Sequence, residues 1–548
     1  MMKLKKKLLF STPGIVFALV ILWMFIAAIS ISMRDTRIIT DMWTAPFVGL
    51  ANFREFFSHP WFGMIFTNSL RLGFVPIITT TVVAGIFVWF IAHMPKKWMK
   101  YAALTIIAIP AFMPAVALSG VVMDITGRFG IIGSMFGPYG SYLLNNPSWH
   151  LPIYLFIDIL RHAFIPTVIG LLAWNAHKNK LISVGIALGV YALFRFAFMF
   201  TADMEISLLL QNQLNFHRAE VLDTRIFNQR FPTDWGRRVS TGYLSAMWVF
   251  RTVLQLFTAA LAGVGIFFLG RKLKTADKID QIEVAEPRKG IKIASIVGFL
   301  VLSVPIIFVI AQAFPIFSAG MWRGMWLLFN DSVVPRAILN SLLNSSMSGI
   351  IFAGTAFLLA YPLTFKTKWY PIMLLLTLVL NTNNIIGGMR FMRSIGLIDT
   401  PFAIWISLGF CVMGAFALYF AVRNKLSGAN PLGAPPKFRD YAKIAWKPAV
   451  FLIFVAFVLN WGGFLNEAMY LHFRNEDLWG VGMWGRQILL FDFYHGIPPE
   501  VARNLLYTRE ALPFIVSIVP VAIGVTLIWL DKFRKTSILP LFTAGTRK

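Results

Sequence analysis

The strongest constraint on this chain is a series of long apolar stretches with Lys and Arg clustered in every second gap between them. A bilayer core is about 30 Å thick, so a spanning helix needs roughly 20 mostly apolar residues. Segments such as Pro13 to Ile31 and Ile291 to Phe314 meet that length. Backbone groups cannot stay unpaired in lipid, so these segments must be helices. The pattern specifies an all-α, polytopic membrane protein. Composition agrees: 57% of the 548 residues are hydrophobic and 14% are charged, which is outside the range of soluble domains.

The apolar runs predict about twelve spans. The first six lie near Ser11–Ser32, Ser69–His93, Ala102–Ile125, Leu151–Trp174, Leu181–Ala202 and Ser240–Leu269. The second six lie near Ile291–Phe317, Leu339–Phe365, Tyr370–Ile386, Pro401–Val422, Pro448–Leu471 and Leu512–Leu530. Lys96, Lys97 and Lys100 follow span two, Lys178 and Lys180 span four, and Arg271, Lys272 and Lys274 span six. The alternation continues with Lys366 and Lys368, then Arg423 to Lys443, then Lys532, Arg534 and Lys535. By the positive-inside rule these gaps and both termini face the cytoplasm. The basic N-terminus and first apolar run look like a signal peptide, but the run is too long and no small-residue cleavage site follows Ile31. It reads as a retained first helix.

The net charge of +26 is dispersed in short clusters and not gathered in one stripe. It fits topology and anionic lipid headgroups, not nucleic acid. One cysteine, Cys411, excludes an internal disulfide and reads as a packing residue. The acidic, polar stretch Lys274 to Lys289 reads as a cytoplasmic linker. It divides the chain into a six-helix half over 1–273, a linker over 274–290 and a second six-helix half over 291–548. Like topology in both halves suggests a parallel repeat. One short match supports it: Asn68-Ser69-Leu70 before span two and Asn340-Ser341-Leu342 at the start of span eight.

Several motifs recur in order along the chain. The first half carries Phe47-Val48-Gly49-Leu50-Ala51-Asn52-Phe53, then Asn68-Ser69-Leu70, Gln211-Asn212, Ala219 to Phe227 and Gly242-Tyr243-Leu244-Ser245-Ala246. The second carries Ala360-Tyr361-Pro362-Leu363, Gly396 to Thr400, Asn460-Trp461-Gly462-Gly463-Phe464, Tyr470-Leu471 and Arg486-Gln487-Ile488-Leu489. This order resembles the two membrane subunits of bacterial oligosaccharide importers driven by ATP-binding cassettes, of the maltose-permease type. The resemblance implies two permeases fused head to tail. It also implies a cytoplasmic ATPase and an extracytoplasmic solute-binding protein as partners, in the bacterial cytoplasmic membrane.

The departures from that family are equally informative. Each family subunit carries a cytoplasmic "EAAxxDGA" signature that forms a coupling helix for the ATPase, and neither half keeps it. Between spans four and five only Asn175 to Lys180 remains. A two-turn helix alone takes about seven residues. In the second half, Ser427 to Pro436 is rich in helix breakers. Phe438 to Lys443 is the one stretch able to form a short helix, so Phe438, Arg439 and Tyr441 are the residual coupling candidates.

Charge inside a span is costly and marks candidates for function. Asp158 and Arg161 are three apart in span four, on one helical face where they could pair. Arg71, Arg195 and Arg251 read as anchors or interhelical partners. Asn383 and Asn384 with Arg390 and Arg393, and Trp461, Asn466 and Glu467 in span eleven, are further candidates for the translocation path. The histidines show no zinc spacing, and no Walker loop or GxSxG occurs. No catalytic constellation and no cofactor is expected. Two functions fit: a sugar-importer permease with ATPase coupling in doubt, or a permease-derived scaffold held by partners through its outer loops Ala202–Val239 and His472–Glu510.

Overall fold

The computed structural model describes residues 2–36, 44–127, 130–135, 143–176, 179–201, 203–230, 240–276, 289–330, 333–365, 367–383, 385–410, 412–429, 436–471, 475–490 and 499–533. Cys411 and Asn384, and residues 277–288 of the expected linker, lie outside them. Among the described residues, eight helices are long and apolar enough to cross a membrane, and four helix pairs reach that length as bent spans. The long helices alone make eight spans, and counting each bent pair as one span brings the total to the twelve expected.

The first series of helices is α1 (Met2–Ser32), α2 (Ala51–Ser58), α3 (Phe62–His93), α4 (Lys97–Phe112), α5 (Ala115–Thr126), α6 (Ile131–Met135), α7 (Pro147–His162), α8 (Phe164–Ala176), α9 (Lys180–Ala197), α10 (Met204–Leu210), α11 (Phe216–Ala219), α12 (Leu222–Arg230) and α13 (Thr241–Ala276). The second is α14 (Lys289–Ala313), α15 (Ala319–Asn330), α16 (Val333–Leu363), α17 (Trp369–Asn381), α18 (Ile385–Ser394), α19 (Pro401–Gly409), α20 (Val412–Ala429), α21 (Phe438–Asn460), α22 (Leu465–Tyr470), α23 (Val481–Leu490) and α24 (Pro499–Phe533).

The two series match in their breaks. The pair α4–α5 bends by 95° and α17–α18 by 96°. The pair α7–α8 bends by 48° and α19–α20 by 43°. Local chemistry explains the first: Pro114 follows Met113, and a residue before proline is driven out of the helical region. At the matching break in the second series, Asn383 takes φ 44°, a left-handed conformation that ends the helix.

The repeated Asn-Ser-Leu motif has the same task in both series. The Asn68 amide donates to the carbonyls of His217 (2.9 Å) and Glu220 (3.1 Å). The Asn340 amide donates to those of Asp477 (2.7 Å) and Trp479 (3.0 Å). Each asparagine clips the loop after α10 or α22 onto the start of a long span. Asn68→Ala and Asn340→Ala should therefore each destabilise the protein, by about 1–3 kcal/mol where the orphaned carbonyls are buried. Asn68 is itself buried, so its loss is expected to be the larger of the two in thermal unfolding in detergent.

The Phe47–Phe53 motif is also structural. Gly49 takes φ 59°, which a side chain would strain. Asn52 is buried and donates to the carbonyls of Ser32 and Arg34, both at 2.9 Å, closing the end of α1.

The chain forms two compact units. The first comprises Met1–Gly63, Leu222–Leu256 and Val333–Trp484, the second Met64–Val221, Phe257–Ser332 and Gly485–Lys548. Each draws on both sides of the linker. In the first, α16 packs against α19, α20 and α21, and α1 lies along α16, α17 and α18. Phe10 of α1 meets Tyr361 edge-on at 5.1 Å and stacks on Phe438 at 6.1 Å. In the second, α4 and α5 pack against α14 and α24, α8 against α9, and α15 against α24.

Two local expectations are corrected. Span eleven, read as Pro448–Leu471, is instead the helix Phe438–Asn460, and α22 is separate from it. Gly462-Gly463 interrupts the run, because tandem glycines carry a high entropic cost in a helix. The stretch Phe438 to Lys443 is helical, but as the first turns of that same long helix and not as a free-standing coupling helix.

Candidate functional site

A dense group of charges in the second unit surrounds Asp158, a fully buried residue of α7. It does not use Arg161. Its carboxylate accepts two bonds from Arg195 of α9, at 2.9 and 3.2 Å, and one from the Thr80 hydroxyl of α3 at 2.6 Å. His162, one turn along α7, sits 2.9 Å from the same carboxylate. Arg161 turns instead to α10 and its cap, pairing with Asp203 at 3.0 Å and Glu205 at 3.2 Å. His162 also lies 3.7 Å from Asp203, joining the two groups. The expected Asp158–Arg161 pair is therefore replaced by two pairs with partners from other helices.

The reason is geometric. Residues i and i+3 share a face, but a short Asp side chain is better satisfied by a bidentate guanidinium arriving from a facing helix. The network holds three carboxylates, two guanidinium groups and His162, which adds charge only when protonated. It ties α3, α7, α9 and α10 together where an isolated charge would be expensive. A cavity of about 220 Å³ opens beside it, with Tyr154, Arg195, Thr201 and Asp203 among its lining. Gly73 forms another part of that wall, and a Cβ there would overlap the Met199 carbonyl. Polar groups converging on a small cavity can bind or orient a hydroxylated solute.

In the first unit, a second buried pair secures the α17–α18 break. Arg251 of α13 and Asp223 of α12 are both fully buried, 3.3 Å apart. Arg251 also donates to the Thr382 carbonyl at 2.6 Å. The Asn383 side chain donates to Asp223 at 2.7 Å, while its carbonyl accepts from the Trp248 indole at 3.1 Å. The backbone groups freed by a 96° bend are thus met by named side chains, as lipid-embedded structure demands. Burial pushes the Asp223 carboxyl up from its ordinary range, and the Arg251 guanidinium and Asn383 amide pull it back.

Glu467 of α22 is buried as well. It accepts from the Gly480 amide at 2.9 Å and from the Asn344 side chain at 3.4 Å, and Asn344 in turn accepts from the Trp405 indole at 2.8 Å. Trp461 is buried at the end of α21, 5.4 Å from Phe457, and Asn466 is half-buried on α22. Of the residual coupling candidates, Tyr441 is buried and donates to the Phe357 carbonyl at 2.7 Å, while Phe438 and Arg439 are exposed at the start of α21. The α8–α9 connection spans only the three residues between Ala176 and Lys180.

The sequence reading missed Thr80, His162, Asp203, Glu205 and Asp223 as partners. His162 was findable at i+4 from Asp158. The others lie far along the chain or in what reads as an outer loop. Among the described residues, no group of three or more His, Cys, Asp or Glu could hold a metal ion.

Broken apolar helices carrying buried, paired charge define an all-α, polytopic membrane protein. No family model matches the sequence. Over 276 residues, 46% of this chain and 84% of its relative, it is 23% identical to the polygalacturonan/rhamnogalacturonan transport system permease protein YteP of Bacillus subtilis (strain 168). It is also similar to chains of two solved bacterial assemblies. One is an alginate ABC transporter in complex with an alginate pentasaccharide-bound periplasmic protein (TM-score 0.35, 19% identity, 42% of this chain and 84% of that one). The other is an ABC transporter involved in import of the acidic polysaccharide alginate (TM-score 0.35, 20% identity, 45% and 88%). The motif resemblance to sugar-importer permeases is thus matched by a curated relative that less than half of this chain nearly covers.

Proposed function

We propose that this chain is a fused pair of permeases for an oligosaccharide importer, its two halves running 1–273 and 291–548 on either side of a cytoplasmic linker. The observation that carries the reading is the repeat: two series of helices with 95° and 96° breaks and with 48° and 43° breaks in the same order. The relative named for polygalacturonan and rhamnogalacturonan transport supports a saccharide as the solute. In such a machine the permease hydrolyses nothing. Partners on its two faces bias an inward-open against an outward-open state, which requires differential binding at each face.

The coupling to an ATPase departs from the symmetric arrangement. The α8–α9 turn is too short for a docking helix, and the second-half candidate is continuous with α21. These two features also favour a second reading, a permease-derived scaffold that has lost ATP coupling. Affinity purification of the tagged full chain from its native membrane separates them. The importer reading expects an extracytoplasmic solute-binding protein with bound saccharide in the mass spectrum. Repeated recovery of other membrane proteins without one would favour the scaffold.

A further inference from the structure

The helix α15 has two faces of different chemistry. Met321, Gly324 and Leu328 are buried, against α24. Gly324 permits that approach, since a Cβ there would overlap the Tyr507 carbonyl of α24. Arg323 lies over the Tyr507 ring at 4.9 Å, and Ser318 donates to Glu510. The opposite face carries Trp322, Trp326 and Phe329, spaced four and three apart and all at least half exposed, with Trp326 at 66%. Ile316 and Phe317, just before the helix, are exposed too.

Chain connectivity restricts where this aromatic face can be. The apolar span α14 ends at Ala313 and α15 begins at Ala319; α15 ends at Asn330 and the span α16 begins at Val333. Five residues at one end and two at the other tie the helix to the ends of two membrane spans. Twelve residues make a rod of about 18 Å, so it cannot stand far above the bilayer. Trp and Phe favour the headgroup boundary, where an amphipathic helix lies in the interface plane with its apolar face down. The Trp322 indole already donates to the Ile316 carbonyl at 2.8 Å, so its ring can enter the acyl boundary without an unmet donor.

We propose that α15 is a membrane-interface helix whose Trp322, Trp326 and Phe329 face is buried among lipid headgroups and upper acyl chains. The occupant of that face is lipid, and the helix links the bilayer surface to α24.

Site-directed spin labelling of the full chain in phosphatidylglycerol–phosphatidylcholine vesicles tests this. Cys411 is replaced by Ser, and single cysteines are placed by Trp322→Cys, Trp326→Cys and Phe329→Cys, with Met321→Cys as the packed control. Oxygen should collide with the three face labels more often than a water-soluble nickel chelate does, giving a positive depth parameter at each. The Met321 label should be shielded from both reagents. Greater access of the nickel chelate to the three face labels would place them in water and overturn the proposal. Shielding of those labels from both reagents would mean that protein covers the face, and would overturn it equally. Agreement among three independent positions protects the result from the failure of any one variant to fold.

Discussion

Asp158→Asn is expected to destabilise the protein by about 3–5 kcal/mol, because removing one partner leaves a buried cation uncompensated. Asp158 is fully buried and Arg195 largely so. The amide that replaces the carboxylate keeps the shape but loses the charge that accepts both Arg195 bonds and faces His162. The loss should appear as a lowered thermal midpoint in detergent. Replacing both partners by apolar residues, Asp158→Leu with Arg195→Met, should cost less than Asp158→Asn alone, since exchanging a whole ion pair for apolar packing is often close to neutral. An unchanged midpoint in Asp158→Asn would show that Arg195 finds solvent or another anion. Arg161→Gln gives a separate reading: its partners are Asp203 and Glu205, so its effect should add to that of Asp158→Asn less than fully, because His162 joins the two groups.

The second large effect is expected at Asp223. Asp223→Ala strands Arg251 with no carboxylate in a site where both side chains are fully buried, again a loss of about 3–5 kcal/mol. It also removes the acceptor for Asn383. The α17–α18 break should loosen as a consequence, so hydrogen exchange at residues 385–394 should accelerate more than exchange in α16. Arg251→Met on the same background should restore stability but not the bond to the Thr382 carbonyl. Exchange at the break would then stay fast while the midpoint recovers. Recovery of both would mean that the break is held by packing alone.

These two sites show what could and could not be read from the residues. Spans were legible because a lipid-crossing helix must be long, apolar and continuous, and because lysines mark alternate gaps. The Asn-Ser-Leu repeat was legible as a match, and the structure adds its task at Asn68 and Asn340. Charge partners beyond His162 were not legible. Spacing arguments reach only i+3 and i+4, whereas Asp158 meets Thr80 and Arg195 from 78 and 37 residues away. For the same reason Asp158 and Arg161 looked like a pair when each is held from elsewhere. Asn383 read as a candidate for the translocation path, and its position at a helix break with its amide donating to Asp223 could not be read from spacing. Trp461 and Glu467 looked like parts of one span, but the glycine pair between them separates α21 from α22.

The packing of segments from both sides of the linker within one unit was likewise invisible to periodicity. Helix α1 is an ordinary apolar span by composition, yet it lies along α16, α17 and α18. Phe10, Phe17 and Trp23 place it there through Tyr361, Phe410 and Phe391. Any truncation that separates the halves would remove α1 from that packing, so the full chain is the proper object for every test described above.

The proposed function has one chain stand for two permease subunits, with cytoplasmic coupling unequal between the halves. A structure of the native assembly, purified through the full-length chain, tests it most directly. The expected result is a single copy of this chain, with any ATPase gripping only the second-half loop and the linker, and with no docking helix from the α8–α9 connection. Two ATPase subunits seated equivalently under both halves, or two copies of the chain forming one pore, would contradict it.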